Sequence, residues 1–446
     1  MRILLLSYHI YPNATAEGLC VAKAARTLAD RGHSVEIVTS TANDLSGTRL
    51  VLSDGLLAGI PLHRVAPQPE RVPLVARAWH GFTHAGQQRS RRSRRLWDAL
   101  EATTHIALGC APAEYAWAQA AAAHSLHLLD HSAVPFDLLY SRLNHFLSHY
   151  AALAVARARP TLPWCAHFSD PWPGSLYPPG YQHRPTRTGV MERRQALILD
   201  TILRRADSLT FPGERLLRFL LTGRRAAHRA KAYAVPHLGN FWQAVPAYHQ
   251  GDTLRIVFTG YLLTQRNPAA LFAALVRLRA RIPAVADQVR VEFVGRNPAL
   301  VDAIRAQYDL GAMVSTAPAT DFATAAALNS TADVLLLIES AMTEGVFMPS
   351  KLADYLSARR PILALSPPVG TVADYLRAGG GLRVDPTDPD AILAALVDLY
   401  TRWQNGTLAA LEPPPDLVAR VSPDCVGPGY EAAFAAAIAG REGHRS

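Results

Sequence analysis

The sequence predicts an α/β protein of two β/α/β domains, each built on a parallel sheet, facing each other across a cleft. Three observations predict this. The first forty residues run strand, loop, helix, strand. The same order restarts at residue 254. Between the two, residues 235–252 (VPHLGNFWQAVPAYHQGD) are rich in Gly, Pro and polar residues and show no clear period, which places a hinge there. A chain of 446 residues is long for one hydrophobic core, so two domains are expected. The expected divisions are 1–240, 241–420 and a C-terminal helical segment, 421–446, packing back on the N-terminal domain.

In the first unit, RILLLSY (2–8) is an apolar run without alternation, as in a strand buried on both faces of a parallel sheet. YPNATAEG (11–18) is a loop of turn formers. LCVAKAARTLADRG (19–32) is a helix with apolar or small residues at 21, 24, 25 and 28 and Gly32 in its C-cap region. HSVEIVTST (33–41) is the next strand. Residues 60–100 are irregular and contain Arg89, Arg91, Arg92, Arg94 and Arg95 beside Trp97, with Trp79 and Phe82 upstream. In the second unit LRIVFTGY (254–261), VRVEFVG (289–295), DVLLLIE (333–339) and PILALS (361–366) are strands separated by helical segments, and GYEAAFAAAIAG (429–440) is a helix.

Hydrophobic residues make up 49% of the chain and charged residues 18%, a globular composition rather than a disordered one. Lys and Arg number 45 against 36 Asp and Glu, a formal charge of +9 that suits anionic partners such as phosphates or a lipid surface. The four cysteines (20, 110, 165, 425) form no CxxC pair and no metal-ligand spacing, which favours a reduced, cytoplasmic setting. The apolar start MRILLL is too short for a signal peptide or a membrane span.

Three stretches carry more specific information: FTGYLLTQRNPAALFAAL (258–275), MPSKLADYLSARRPILAL (348–365) and DLLYSRLNHFLSHYAALAVARARPTLPWCAHFSDPW (137–172). In order along the chain they resemble the retaining, nucleotide-sugar-dependent glycosyltransferases of family 4, which have the GT-B fold of two Rossmann-like domains. By that resemblance Arg266 falls on the arginine that grips the donor diphosphate. A strand-to-helix loop offers backbone N–H groups to an anion, and Arg adds a rigid fork of donors. Spacing to RRP puts Asp354 where the family has a ribose-binding Glu, and a carboxylate suits a vicinal diol. Lys351, one turn earlier, would join Arg266 on the diphosphate. Lys351 and Asp354 also stand three apart, where an ordinary helix-surface ion pair would form. A second family Glu, eight positions before Asp354, is replaced by Val346; Glu344 is near but out of register, so either Glu344 or backbone amides of 343–348 would hold the sugar. Gly295 would lie beneath the nucleotide base, or simply begin a turn.

In the N-terminal half the resemblance puts His149 at the interdomain reaction centre and Asp170 in the turn that meets the acceptor. The competing readings are a helix-surface or core histidine and an Asx turn before Pro171. Asn13 and Gly18, in the first loop, would line the acceptor site. A DxD at 388–390 reads as a helix N-cap, with no catalytic metal expected. The arginine cluster reads as an anionic-membrane contact or as a solvated face; nucleic acid is disfavoured because no aromatics interleave with it. The expected function is transfer of a sugar from a nucleotide-diphosphate sugar, the co-substrate, to a hydroxyl of a glycan or lipid-linked acceptor, with no cofactor, in polysaccharide or glycolipid biosynthesis. His149, Arg266 and Lys351 would be catalytic, and the protein would be cytoplasmic or peripheral on the inner face of the membrane. The alternatives are a nucleotide-sugar epimerase on the same fold and a non-catalytic nucleotide-sugar-binding partner. No GxGxxG follows either first strand, which argues against a dinucleotide dehydrogenase.

Overall fold

A computed structural model of the chain describes all residues except 11–14, 42–53, 72–102, 144–145, 182–188, 244–245, 247 and 443–446. Asn13 and the membrane-contact candidates Trp79, Phe82, Arg89, Arg91, Arg92, Arg94, Arg95 and Trp97 therefore lie outside the described residues.

Two all-parallel sheets form the molecule. The first contains β1 (Arg2–Leu6), β2 (Ser34–Ser40), β3 (Leu62–Val65), β4 (Leu138–Leu143), β5 (Trp164–Phe168), β6 (Ser208–Phe211) and β7 (Ala232–Ala234), in the order β3-β2-β1-β4-β5-β6-β7. The second contains β8 (Leu254–Tyr261), β9 (Val289–Arg296), β10 (Val314–Pro318), β11 (Val334–Ile338), β12 (Ile362–Leu365) and β13 (Gly381–Val384), in the order β10-β9-β8-β11-β12-β13. Each sheet is doubly wound, with strand order reversing beside β1 and beside β8. In such sheets the ligand crevice opens at the carboxyl ends of the strands around that reversal.

The lack of alternation in the strand sequences has a direct cause. Side chains alternate across a strand, and both faces of each sheet are covered. Ile3 and Leu5 of β1 pack with Val21 and Leu28 of the helix Ala16–Asp30, whereas Leu4 and Leu6 pack with Leu147 and Leu153 of the helix Leu147–Ala158. In the second sheet Ile256 and Phe258 meet Leu271 and Leu275 of the helix Ala269–Arg281, and Val257 meets Leu352 and Leu356 of the helix Ser350–Ala358.

The chain crosses between the sheets twice, and the crossings lie side by side: the Gly239 amide donates to the Val421 carbonyl oxygen (2.9 Å). Gly239 is needed there, because a Cβ would sit 2.7 Å from Ser357 Cβ and 2.8 Å from the Ala353 carbonyl oxygen. The helix Pro423–Glu442 then covers the first sheet, with Tyr430 and Phe434 in the core beside Ile3 and Leu5. Arg31 forks onto both carboxylate oxygens of Glu431 (2.9 and 2.8 Å), fixing the register of that helix. A third link comes from the loop after β11, whose Val346 and Phe347 enter the core of the N-terminal domain. Among the described residues no helix is long and apolar enough to cross a membrane.

Candidate active site

A cavity of about 630 Å³ opens between the carboxyl ends of the two sheets. The N-terminal domain lines it with Thr15, Ala16 and Glu17 at the start of the first helix, with Ser169 and Asp170 after β5, and with Tyr177 and Tyr181. The second domain contributes Gly260 and Gly295 at the ends of β8 and β9, Arg266, Asn329, Lys351 and Asp354.

Arg266, Arg296 and Lys351 are the cations that line the second-domain wall. Arg266 lies in the loop between β8 and the following helix, and its Nε donates to the Tyr181 hydroxyl across the cleft (2.9 Å). Lys351 sits in the first turn of the helix Ser350–Ala358, with Nζ 4.3 Å from the centre of the Phe258 ring. Gly260 makes room for it: with φ +116°, it would place a Cβ 2.6 Å from that Nζ. Burial pushes the Lys351 ammonium down to about 7, with Arg266 adding to the shift and Asp354 opposing it. Gly295 lines the cavity and lets β9 approach β8, since its Cβ would overlap the Gly260 carbonyl oxygen.

Asp354 also faces the cavity, but not as an isolated carboxylate. Lys23, from the first helix of the other domain and only 1% exposed, forms an ion pair with it. Lys23 also donates to the Leu238 carbonyl oxygen in the first crossing (3.1 Å). Burial raises the Asp354 carboxyl, and Lys23 pulls it back down. The alternative reading, a helix-surface pair between Lys351 and Asp354, gives way to an interdomain pair between Lys23 and Asp354.

On the N-terminal side Asp170 is pushed up to about 6 by burial and by Glu17, with Arg266 acting the other way. Beneath it runs a buried polar chain. Ser169 donates to one oxygen of Glu17 (2.7 Å) and Arg142 Nε to the other (3.1 Å). The Arg142 guanidinium also reaches Tyr140, Tyr430 and His167. His237, from the first crossing, lines the cavity as well, and burial lowers its imidazole to about 3. Glu17, Lys23, Arg142 and His237 are absent from the sequence-based site. Lys23 and Arg142 carry one signal, a charge inside a predicted helix or strand, whereas Glu17 and His237 stand in loop stretches that give none.

Three expectations are corrected by the geometry. His149 does not line the cavity. It is fully buried in the N-terminal core, with Nδ1 at 2.8 Å from the Ser141 hydroxyl and burial lowering it to about 3. The helix Leu147–Ala158 turns its first-turn histidine toward Trp164 and Phe168 rather than the cleft. Gly18 does not line it either, because its amide is spent on the Thr15 hydroxyl that caps the first helix (2.9 Å). Glu344 points away and pairs with Arg215 of the N-terminal domain (2.5 Å). The DxD segment serves a cap: Asp388 accepts from the Asp390 and Ala391 amides (3.0 and 2.9 Å) at the start of the helix Pro389–Gln404. Among the described residues no group of three or more His, Cys, Asp or Glu is placed to hold a metal.

No protein-family model matches the sequence, and no curated protein sequence matches it. Solved structures do. Sucrose-phosphate synthase from Thermosynechococcus elongatus superposes with a TM-score of 0.61 at 16% identity, over 98% of this chain and 99% of its own. HepE from Anabaena, solved in complex with UDP and glucose, gives a TM-score of 0.61 at 12% identity, over 98% and 99%. The catalytic domain of starch synthase IV from Arabidopsis thaliana, bound to ADP and acarbose, gives 0.58 at 10% identity, over 98% and 99%. These likenesses, with the two facing sheets, define the architecture as GT-B. At such identities they speak for the fold and leave the activity to the residues of the site.

Proposed function

We propose that the protein is a glycosyltransferase that moves a sugar from a nucleotide-diphosphate sugar to an acceptor hydroxyl in polysaccharide or glycolipid synthesis. The observation that carries this is the placement of Arg266 and Lys351. Both line one interdomain cavity at the carboxyl ends of a doubly wound sheet, and among the described residues neither is ion-paired. A nucleoside diphosphate supplies the anion both lack. Arg266 offers a bidentate fork and Lys351 a point charge, and together they stabilise negative charge as the diphosphate leaves. That charge stabilisation is the basis for proposing a metal-independent reaction.

The remaining walls fit the two other parts of such a reaction. Asp354 keeps hydrogen-bonding capacity for a ribose diol beyond its pair with Lys23. Gly295 leaves a flat surface for the base. Asp170, across the cleft, accepts the hydrogen bond of the acceptor hydroxyl. The bond from the anomeric carbon to the leaving phosphate oxygen breaks, one to the acceptor oxygen forms, and the acceptor's hydroxyl proton passes to the departing diphosphate. Membership of family 4, retention of configuration and contact with an anionic membrane belong to this proposal too. They are supported by the sequence resemblance and the positive charge of the chain, and by the UDP, ADP and sugars held by the structural neighbours.

Calorimetric titration with UDP, GDP, ADP and TDP tests the reading. One diphosphate should bind the wild type and bind Arg266→Ala far more weakly. A wild-type protein that binds none of the four overturns it. Incubation of the matching nucleotide sugar without acceptor separates transfer from epimerisation, since only an epimerase returns an isomerised donor.

A further inference from the structure

A second, smaller cavity lies at the outer edge of the first sheet. Its volume is about 330 Å³, and it shares no lining residue with the interdomain cavity. β3 is the edge strand there, separated from β1 by β2. The end of β3, the residues that follow it and the helix Pro112–His131 form the walls. On that helix Ala120, Ala123, His124 and His127 stand at i, i+3, i+4 and i+7, which is one face. Two of the four are alanines, so the face is hollow between the imidazoles and the strand.

The walls are cationic. Arg64 and Arg71 line the cavity from the strand side and His124 and His127 from the helix, with Gln68 between the arginines in the chain; no carboxylate is among the lining residues. Arg71 Nε donates to the Gln68 carboxamide oxygen, and among the described residues its two terminal nitrogens have no partner. His124 Nε2 is buried and likewise unpartnered. The neighbouring His63 does not serve it, since its own Nε2 lies 3.0 Å from Glu36 and the two ring centres are 5.2 Å apart. A buried polar atom without a partner is costly, and proteins retain few of them. Burial, His63 and His127 all disfavour charge on the His124 ring; an anion in the cavity would oppose all three.

We propose that this cavity is a phosphate-binding site on the N-terminal domain, separate from the interdomain cavity, that takes the phosphate group of a monoester. Such a group carries up to two negative charges and three acceptor oxygens. The open fork of Arg71, the charge of Arg64 and the imidazole of His124 meet them together. A carboxylate, with one charge and two oxygens, leaves part of this set unused. Two sources present the group: a free phosphorylated metabolite and a phosphatidic acid headgroup. Neither requires the activity proposed above.

The test uses the full chain in an Arg266→Ala, Lys351→Ala background, so that the cations of the interdomain cavity do not supply the signal. Glycerol 3-phosphate and inorganic phosphate are titrated by calorimetry, and flotation compares phosphatidylcholine vesicles with and without phosphatidic acid. Saturable binding in at least one arm is expected, weakened about ten-fold or more by Arg71→Met and by His124→Leu. Binding of the soluble monoester identifies a metabolite site, and flotation that needs phosphatidic acid and both residues identifies a headgroup site. Arg71 is exposed, so Arg71→Met should melt with its parent and keeps the test open if His124→Leu does not fold. No saturable binding in either arm, or binding that Arg71→Met leaves unchanged, overturns the proposal.

Discussion

Lys23 and Asp354, 331 residues apart, form an ion pair that joins the two domains across the floor of the cleft. The Leu238 carbonyl oxygen receives a second bond from the same ammonium, so one lysine ties both domains to the crossing between them. Breaking such a pair strands the other charge. We expect Lys23→Met to cost about 3–5 kcal/mol of stability. Asp354→Asn in that background should cost less than it does alone, because the buried anion is already uncompensated. Denaturant midpoints of the double-mutant cycle check this. A Lys23→Met protein that unfolds with the wild type means the pair does not hold the domains.

Arg266 and Lys351 are expected to act on the ligand rather than the fold. Hydrogen bonds to charged groups contribute about 1.5–3 kcal/mol each. Arg266→Ala and Lys351→Ala should therefore each weaken nucleoside-diphosphate binding by roughly ten- to a hundred-fold. Should Lys351→Ala shift only the melting temperature and leave affinity intact, the lysine is a packing cation on Phe258 and nothing more.

The depressed Lys351 ammonium gives a pH signature. Its folded value, about 7, lies below the ordinary 10.5. Between these values the unfolded chain binds more protons, so this group makes stability rise with pH from about 7 toward 10.5. Diphosphate binding runs the other way, because the ligand favours the protonated amine. Affinity should fall as pH rises above about 7, by up to about ten-fold per unit, with proton uptake on binding visible in buffers of different ionisation enthalpy. Lys351→Met should abolish that uptake; persistence of the same slope would assign it to another group.

The architecture was legible in the sequence for a physical reason, and the second-domain wall through the family resemblance carried by the loops between its strands and helices. Strands buried on both faces must be continuous apolar runs, and local spacing then fixes where their loops lie. Arg266, Gly295, Lys351 and Asp354 all stand close to such runs, and the structure brings them to one cavity. Of the N-terminal wall only Asp170 was legible; the rest was not, because its chemistry is made by long-range pairs. Lys23 reads as one polar position on an apolar helix face until Asp354 is folded against it. Arg142 reads as a strand-end arginine until Glu17, His167 and Tyr430 close around it. His149 shows the opposite failure. The family resemblance and its place in a helix's first turn suggested the cleft, while helix rotation sends the ring into the core.

His149 accordingly makes a negative prediction for catalysis. Its ring is neutral throughout the physiological range, since burial lowers it to about 3. It shares the Ser141 hydroxyl with Trp164 Nε1, each at 2.8 Å. His149→Leu should cost about 1–3 kcal/mol by leaving polar groups at Ser141 less satisfied. Diphosphate affinity and transfer rate should stay within about three-fold of wild type, a change of well under 1 kcal/mol in either quantity. A hundred-fold loss of rate in a fully folded variant would return the histidine to the reaction centre.

Arg142 is expected to be the most sensitive residue under the acceptor side. It is 1% exposed and meets Glu17 Oε1 at 3.1 Å, the Tyr140 and Tyr430 hydroxyls at 3.2 and 3.0 Å, and His167 Nε2 at 3.2 Å. Arginine only donates, so His167 Nε2 accepts and its proton sits on Nδ1, facing the Thr210 hydroxyl at 3.0 Å. Burial and the adjacent guanidinium hold that imidazole well below its usual value, which agrees with a neutral ring. Arg142→Met removes the donor for every member at once and leaves Glu17 buried with Ser169 alone. We expect a loss of about 3–5 kcal/mol. Arg142→Lys should recover little of it, because a single ammonium cannot reproduce a planar fork aimed at four acceptors. In whatever fraction of Arg142→Lys still folds, KM for the acceptor should rise while diphosphate affinity is kept, since Glu17 and Ser169 set the position of Asp170 and Arg266 does not depend on them. Denaturant unfolding of both variants and acceptor titration of Arg142→Lys measure this. A lysine variant with wild-type stability and wild-type KM would show that the buried chain neither holds the floor of the cleft nor positions the acceptor.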